Sequence, residues 1–279
     1  MKVFAALAVV LLHVGLTPGF SLGVPCFTYM LVRLGGRRPG ESAPALIRRH
    51  ADQLLLPWLL WSLLYLGLRE LSPGGPTPGG PRLSGPLIGG YLHLWFLPFA
   101  FSLRVVFQLL EVEAWTLARR SSLSIIATLV ACGLFLAAGP AQAFENPIPQ
   151  WTAALPAAVM AFAVRMDPGR RRALMNCAIV CTFGLALDLH AGDIALVCLL
   201  VLVDLLSRQA RTRAPAWISW GADLSWPVYL IHPAAIAGAE EVLGLTGRLE
   251  VFTFVILSSI LAAWLLLRIA PLSRLLLRK

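Results

Sequence analysis

Apolar runs closed by charge, proline or glycine follow one another along almost the whole chain. Ten of them stand out, at about 2–16, 20–34, 54–70, 86–110, 122–138, 150–165, 173–188, 192–206, 217–238 and 251–270. A bilayer-spanning helix needs about 20 predominantly apolar residues, so each run predicts a membrane helix, although several are short for a full crossing. The stretch from 173 to 206 admits two helices turning at 188–193 or one span with a re-entrant piece; we read it as two helices. The expected fold is therefore all-α, a polytopic integral membrane protein of about ten transmembrane helices in a single domain over residues 1–279.

The basic residues test that count, because cytoplasmic connections collect Lys and Arg. With the N-terminus in the cytoplasm, nineteen of the 23 Lys and Arg residues fall on inner connections and ends, among them Lys2, Arg33, Arg48, Arg49, Arg165 and Arg208. Arg69, Arg82 and Arg248 fall outside, and Arg104 falls within the fourth span. Both termini are thus expected in the cytoplasm. A cleaved leader over the first run, suggested by Lys2 before an apolar stretch, would break this alternation.

Composition agrees with the class. Hydrophobic residues make up 58% of the 279, charged residues 13%, and the mean hydropathy is +0.77; that leaves too little polar surface to cover a soluble globule. The net charge of +9 sits in short clusters between apolar runs, which sets topology and argues against nucleic acid as a partner. The five cysteines, Cys26, Cys132, Cys177, Cys181 and Cys198, show no CxxC spacing and read as core packing. The Pro/Gly-rich stretch 72–81 reads as a flexible outer link.

Against this background His13 is conspicuous, since an ionisable side chain within an apolar span tends to mark a site. Counting along each span puts His13, His93 and His232 in the outer third of the membrane. Lys2 lies eleven residues before His13, about three turns and about 16 Å lower on the same helical face.

Lys2-x10-His13 resembles the Arg/Lys-x10-His motif in the first helix of acyltransferase family 3, bacterial membrane O-acyltransferases that modify surface glycans and related acceptors. Further similarities are Val24-Pro25-Cys26-Phe27, Leu56-Pro57-Trp58-Leu59-Leu60-Trp61-Ser62, His93-Leu94-Trp95-Phe96-Leu97 and Ser225-Trp226-Pro227-Val228-Tyr229-Leu230-Ile231-His232-Pro233, in the family's order. The chain departs from the family pattern at Leu31-Val32, where Ser-Gly is common, and at Asp52-Gln53, where basic residues are common. Arg48 and Arg49 stand a few residues before the latter position.

The resemblance implies acyl transfer from acyl-CoA, with acetyl-CoA as the expected donor, to a hydroxyl at or beyond the outer leaflet of the inner membrane. That chemistry needs a base for the hydroxyl proton, and imidazole suits it near neutral pH. His13 is the candidate base, set against a packing histidine hydrogen-bonded between helices. Lys2, Arg48 and Arg49 are candidates for the phosphates of acyl-CoA, set against ordinary topogenic charge. Arg104 either snorkels along the fourth span or lines the same polar path.

On the acceptor side the candidates are His93 and Trp95, the indole serving as a sugar platform or an interfacial anchor. Ser225, Tyr229 and His232, at i, i+4 and i+7, share one helical stripe, facing a cavity or bonding between helices. Asp188, His190 and Asp193 offer metal-like ligand types in a turn, but their spacing matches no metal motif, and no metal is expected. Two other functions share the intramembrane His and Arg: a transporter or flippase for a lipid-linked glycan, and a catalytically silent membrane scaffold. The absence of an evident repeat across the ten runs argues against the first.

Overall fold

A computed structural model describes residues 2–16, 23–71, 92–111, 117–141, 148–187, 191–209 and 216–269. All regular structure among them is helical. The helices are α1 (Lys2–His13), α2 (Gly23–Leu34), α3 (Ala43–His50), α4 (Leu56–Leu71), α5 (Phe96–Leu110), α6 (Leu117–Ala141), α7 (Ile148–Met166), α8 (Arg170–Ala186), α9 (Ala191–Gln209), α10 (Ala216–Ala237) and α11 (Arg248–Arg268). A helix occupies each of the ten apolar runs. The addition is α3, which lies where the sequence suggested only a connection. Its apolar side is short and its last turn carries Arg48, Arg49 and His50, so no apolar run announces it.

α3 continues into α4 through a π-turn, Ala51–Leu55, in which the Leu56 N–H reaches back to the Ala51 carbonyl. Proline explains the widened turn. Pro57 offers no N–H to Gln53, and its ring would clash with that carbonyl in a regular helix.

Two stretches among the described residues are long and apolar enough to cross a membrane, Arg119–Ala138 within α6 and all of α11, with mean hydropathies of 2.1 and 2.2. Only 33% and 22% of these windows are buried inside the protein. A core helix of a soluble protein with this composition would be mostly buried. Here Leu129 and Val130 on α6, and Leu257 and Leu261 on α11, face outward, as expected of helices solvated by hydrocarbon. Gly23–Leu34 and Phe96–Leu110 are apolar but shorter.

The chain divides into two compact units. The first comprises residues 1–24, 47–101 and 214–279. In it α10 packs against both α1 and α11. α1 is closed by Gly15, whose φ of 72° favours glycine, and the Gly15 carbonyl accepts a hydrogen bond from Arg248 at 2.9 Å. Gly23 meets α1 so closely that a Cβ there would lie 2.3 Å from Val9 Cγ2 and 2.7 Å from the Ala5 carbonyl oxygen.

The second unit comprises residues 25–46 and 102–213. α7 forms its centre, with Ala154, Ala157, Ala158, Ala161 and Ala163 almost wholly buried; small side chains let neighbouring backbones approach. Ion pairs gather at particular helix ends. Arg33, in the last turn of α2, reaches Asp204 of α9 at 2.9 Å, and Arg208 holds the same carboxylate. Arg165, near the end of α7, makes a two-pronged contact with Glu111 at 2.7 and 2.8 Å and donates to the Val32 carbonyl at 3.0 Å. Asp167, just beyond α7, accepts from Ser121 of α6 at 2.7 Å and pairs with Arg172 in the first turn of α8 at 3.3 Å.

Candidate active site

The first unit brings His13 and His232 together. Their ring centroids are 5.0 Å apart, with the planes inclined at 63° in an edge-to-face arrangement. His13 ends α1 and is exposed, while His232 is fully buried in α10. Each ring is tied to its own helix. His13 Nδ1 donates to the Val9 carbonyl at 2.8 Å, and His232 Nδ1 donates to the Tyr229 carbonyl at 2.7 Å.

Those bonds decide which nitrogen is chemically available. A carbonyl oxygen only accepts, so Nδ1 carries the proton, and in a neutral ring the lone pair lies on Nε2. For His232 the acceptor exists because of the next residue. In a regular helix the Tyr229 carbonyl would accept from the N–H of residue 233, but that residue is Pro233 and has none. The imidazole takes the vacated position. The next carbonyl along, that of Leu230, accepts from the Tyr65 hydroxyl of α4 at 2.6 Å.

An aromatic wall surrounds the buried ring. Tyr229 lies 5.8 Å from His232, stacks on Trp226 at 5.8 Å and 16°, and meets the edge of Phe96 at 5.6 Å. Trp95 is buried against Phe96 and Phe99, at centroid distances of 5.9 and 6.0 Å. Ser225, also buried, uses its hydroxyl to donate to the Ala222 carbonyl at 2.7 Å. Of the stripe Ser225, Tyr229 and His232, then, the last two converge on the imidazole pair while the first caps its own backbone.

The remaining candidates are distributed differently. Arg48 is exposed and Arg49 half-buried at the end of α3, in the first unit. Lys2 opens α1 and His93 lies in the 3-10 turn Leu92–Trp95; both side chains lie outside the described residues, as do Asp188 and His190. Asp193 is in the first turn of α9. Arg104 belongs to the second unit, where it lines a cavity with Arg165, Gln108, Leu31, Phe107 and Phe162.

Tyr65 and Pro233 carry roles that the motif reading did not assign. Pro233 had a signal in the sequence, since a proline directly after a histidine inside a helical run frees a carbonyl within that histidine's reach. Tyr65 had none, because its partner is 165 positions away.

Among the described residues the protein is helical with apolar outer faces on its two longest apolar helices, and it holds two histidine rings in contact at the end of a short apolar helix. The chain belongs to acyltransferase family 3: the family's acyltransferase-domain model matches residues 1–268. Membership carries transferase activity and membrane location with it. No curated protein and no solved structure matches the chain.

Proposed function

We propose that the protein is a multi-pass inner-membrane O-acyltransferase that moves an acetyl group from cytoplasmic acetyl-CoA to a hydroxyl of a cell-surface glycan or related acceptor. The observation that carries this reading is the apposition of His13 and His232, each with Nδ1 committed to a carbonyl of its own helix. His13 is the base. Its Nε2 takes the acceptor hydroxyl's proton as the oxygen attacks the thioester carbonyl; the tetrahedral intermediate collapses, the C–S bond breaks, and the proton goes to the departing CoA sulfur. His232, buried behind it, orients the first ring.

The proposed topology has ten spans, both termini cytoplasmic and one domain over residues 1–279. In its support, the helix ends joined by ion pairs in the second unit, those of Arg33, Arg165, Asp167, Arg172 and Arg208, are all ends that the Lys/Arg pattern assigns to the cytoplasm. Lys2, Arg48 and Arg49 receive the phosphates of acyl-CoA on that side, as charge-assisted donors suit, and Arg104 serves the donor from its own cavity. His93, Trp95, Ser225 and Tyr229 shape the acceptor side, where flat aromatic surfaces suit a sugar ring.

Membranes containing the protein, given labelled acetyl-CoA and a lipid-linked glycan acceptor, should transfer label to the acceptor, and His13→Ala membranes should not. Equal transfer by the variant, at equal protein level, overturns His13 as the base.

A further inference from the structure

Three of the five cysteines meet at one place between α8 and α9, in the second unit. Cys177 and Cys181 stand one turn apart on α8, and Cys198 faces them from α9. Cys181 Sγ and Cys198 Sγ are 3.5 Å apart, and the Cys198 thiol donates to the Cys177 carbonyl at 3.9 Å. All five cysteines are free thiols.

We propose that Cys181 and Cys198 form an oxidisable dithiol site, joined as a disulfide by a peroxide and so linking α8 covalently to α9. Core packing needs small apolar groups, but it does not need two sulfurs in contact. A disulfide has an S–S length of about 2.05 Å, so bond formation asks for roughly 1.5 Å of approach from the present contact. The two helices are consecutive and packed together, which keeps the thiols at one height.

The carbonyl of Cys177 holds the Cys198 thiol in place. Cys198 and Cys177 are buried, and Cys181 is partly exposed, which gives a small neutral oxidant its entry from the apolar surroundings.

The chemistry balances with the peroxide alone. The sulfur of one cysteine attacks the O–O bond, forming a sulfenic acid and releasing one water. The second sulfur then attacks the sulfenic sulfur, the S–S bond forms, and a second water leaves. Two thiols are oxidised by two electrons, and the peroxide is reduced.

The full chain in lipid nanodiscs, treated with hydrogen peroxide, should lose two of its five free thiols. Proteolysis and mass spectrometry without reductant should then recover a peptide joining Cys181 to Cys198, and dithiothreitol should restore all five thiols. Cys198→Ser and Cys181→Ser should each abolish the loss, while Cys26→Ser and Cys132→Ser should leave it unchanged. Wild-type peptide mapping alone decides the matter if a variant fails to accumulate. Uniform oxidation of all five thiols, a bridge between two chains, a bridge through Cys177, or no thiol loss each overturns the proposal.

Discussion

The imidazole of His232 occupies the helical hydrogen-bond position that Pro233 leaves empty, donating Nδ1–H to the Tyr229 carbonyl at 2.7 Å. Two neighbouring residues thus fix the orientation of a fully buried ring against His13. Pro233→Ala supplies a backbone N–H that competes for the same carbonyl. Turnover should fall by about tenfold, the equivalent of roughly 1.4 kcal/mol and close to the net worth of one hydrogen bond, while thermal stability holds or rises. A variant with wild-type turnover sinks the link between the proline and the ring.

His13→Ala removes the proposed base itself. Loss of such a group typically lowers rate by about 10²- to 10⁴-fold, and membrane levels should be unaffected because alanine favours the helix. Steady-state transfer to a glycan acceptor, normalised to the amount of protein, measures the effect.

At the donor side, Lys2→Gln and the double change Arg48→Gln with Arg49→Gln should act on affinity. Phosphate contacts are alike in ground and transition states, so KM for acyl-CoA should rise by about fivefold, roughly 1 kcal/mol, with kcat nearly constant. A fall in kcat at constant KM would falsify their assignment to the CoA phosphates.

Glu111→Gln tests the second unit's ion pairs. Arg165 would keep its packing but lose a two-pronged partner at 2.7 and 2.8 Å, and hydrogen bonds to charged groups contribute about 1.5–3 kcal/mol. The melting midpoint in detergent should drop by several degrees; an unchanged midpoint shows that solvent screening cancels the pair.

Topology is tested by single cysteines at Gly79, Gly40 and Lys279 on a background with the five native cysteines replaced by serine. An impermeant thiol reagent on intact cells should label position 79 alone. Labelling at position 40 removes the ten-span count, and with it the common level assigned to His13, His93 and His232.

The helices were legible because their ends are written in charge, proline and glycine: α11 begins at Arg248 after Gly247, and α8 begins at Arg170 after Gly169. α3 was not, because the residues it buries are one leucine, Leu46, and one histidine, His50, beside Arg48 and Arg49, a pattern that looks like a polar connection in the sequence. Similar depth for His13 and His232 followed from counting along their spans. Their contact did not, since it depends on which faces of α1 and α10 meet. The same limit applied to Cys198: two helices over 173–206 were legible, but not which faces of α8 and α9 meet to bring its sulfur to Cys181. It applied also to Arg104, whose neighbours in the cavity include residues of α2 and α7.

Val9 belongs to two structures at once. Its carbonyl holds the His13 ring at 2.8 Å, and its N and Cγ2 join the Ala5 carbonyl oxygen in crowding the missing side chain of Gly23. A single methyl group added at Gly23 would press on the residue whose carbonyl orients the His13 ring, so, with His13 as the proposed base, the rate of acyl transfer is exposed to a position one helix away from it. Screens for loss of activity should therefore recover Gly23 alongside His13, its bare α-carbon being the space that lets Val9 keep its place.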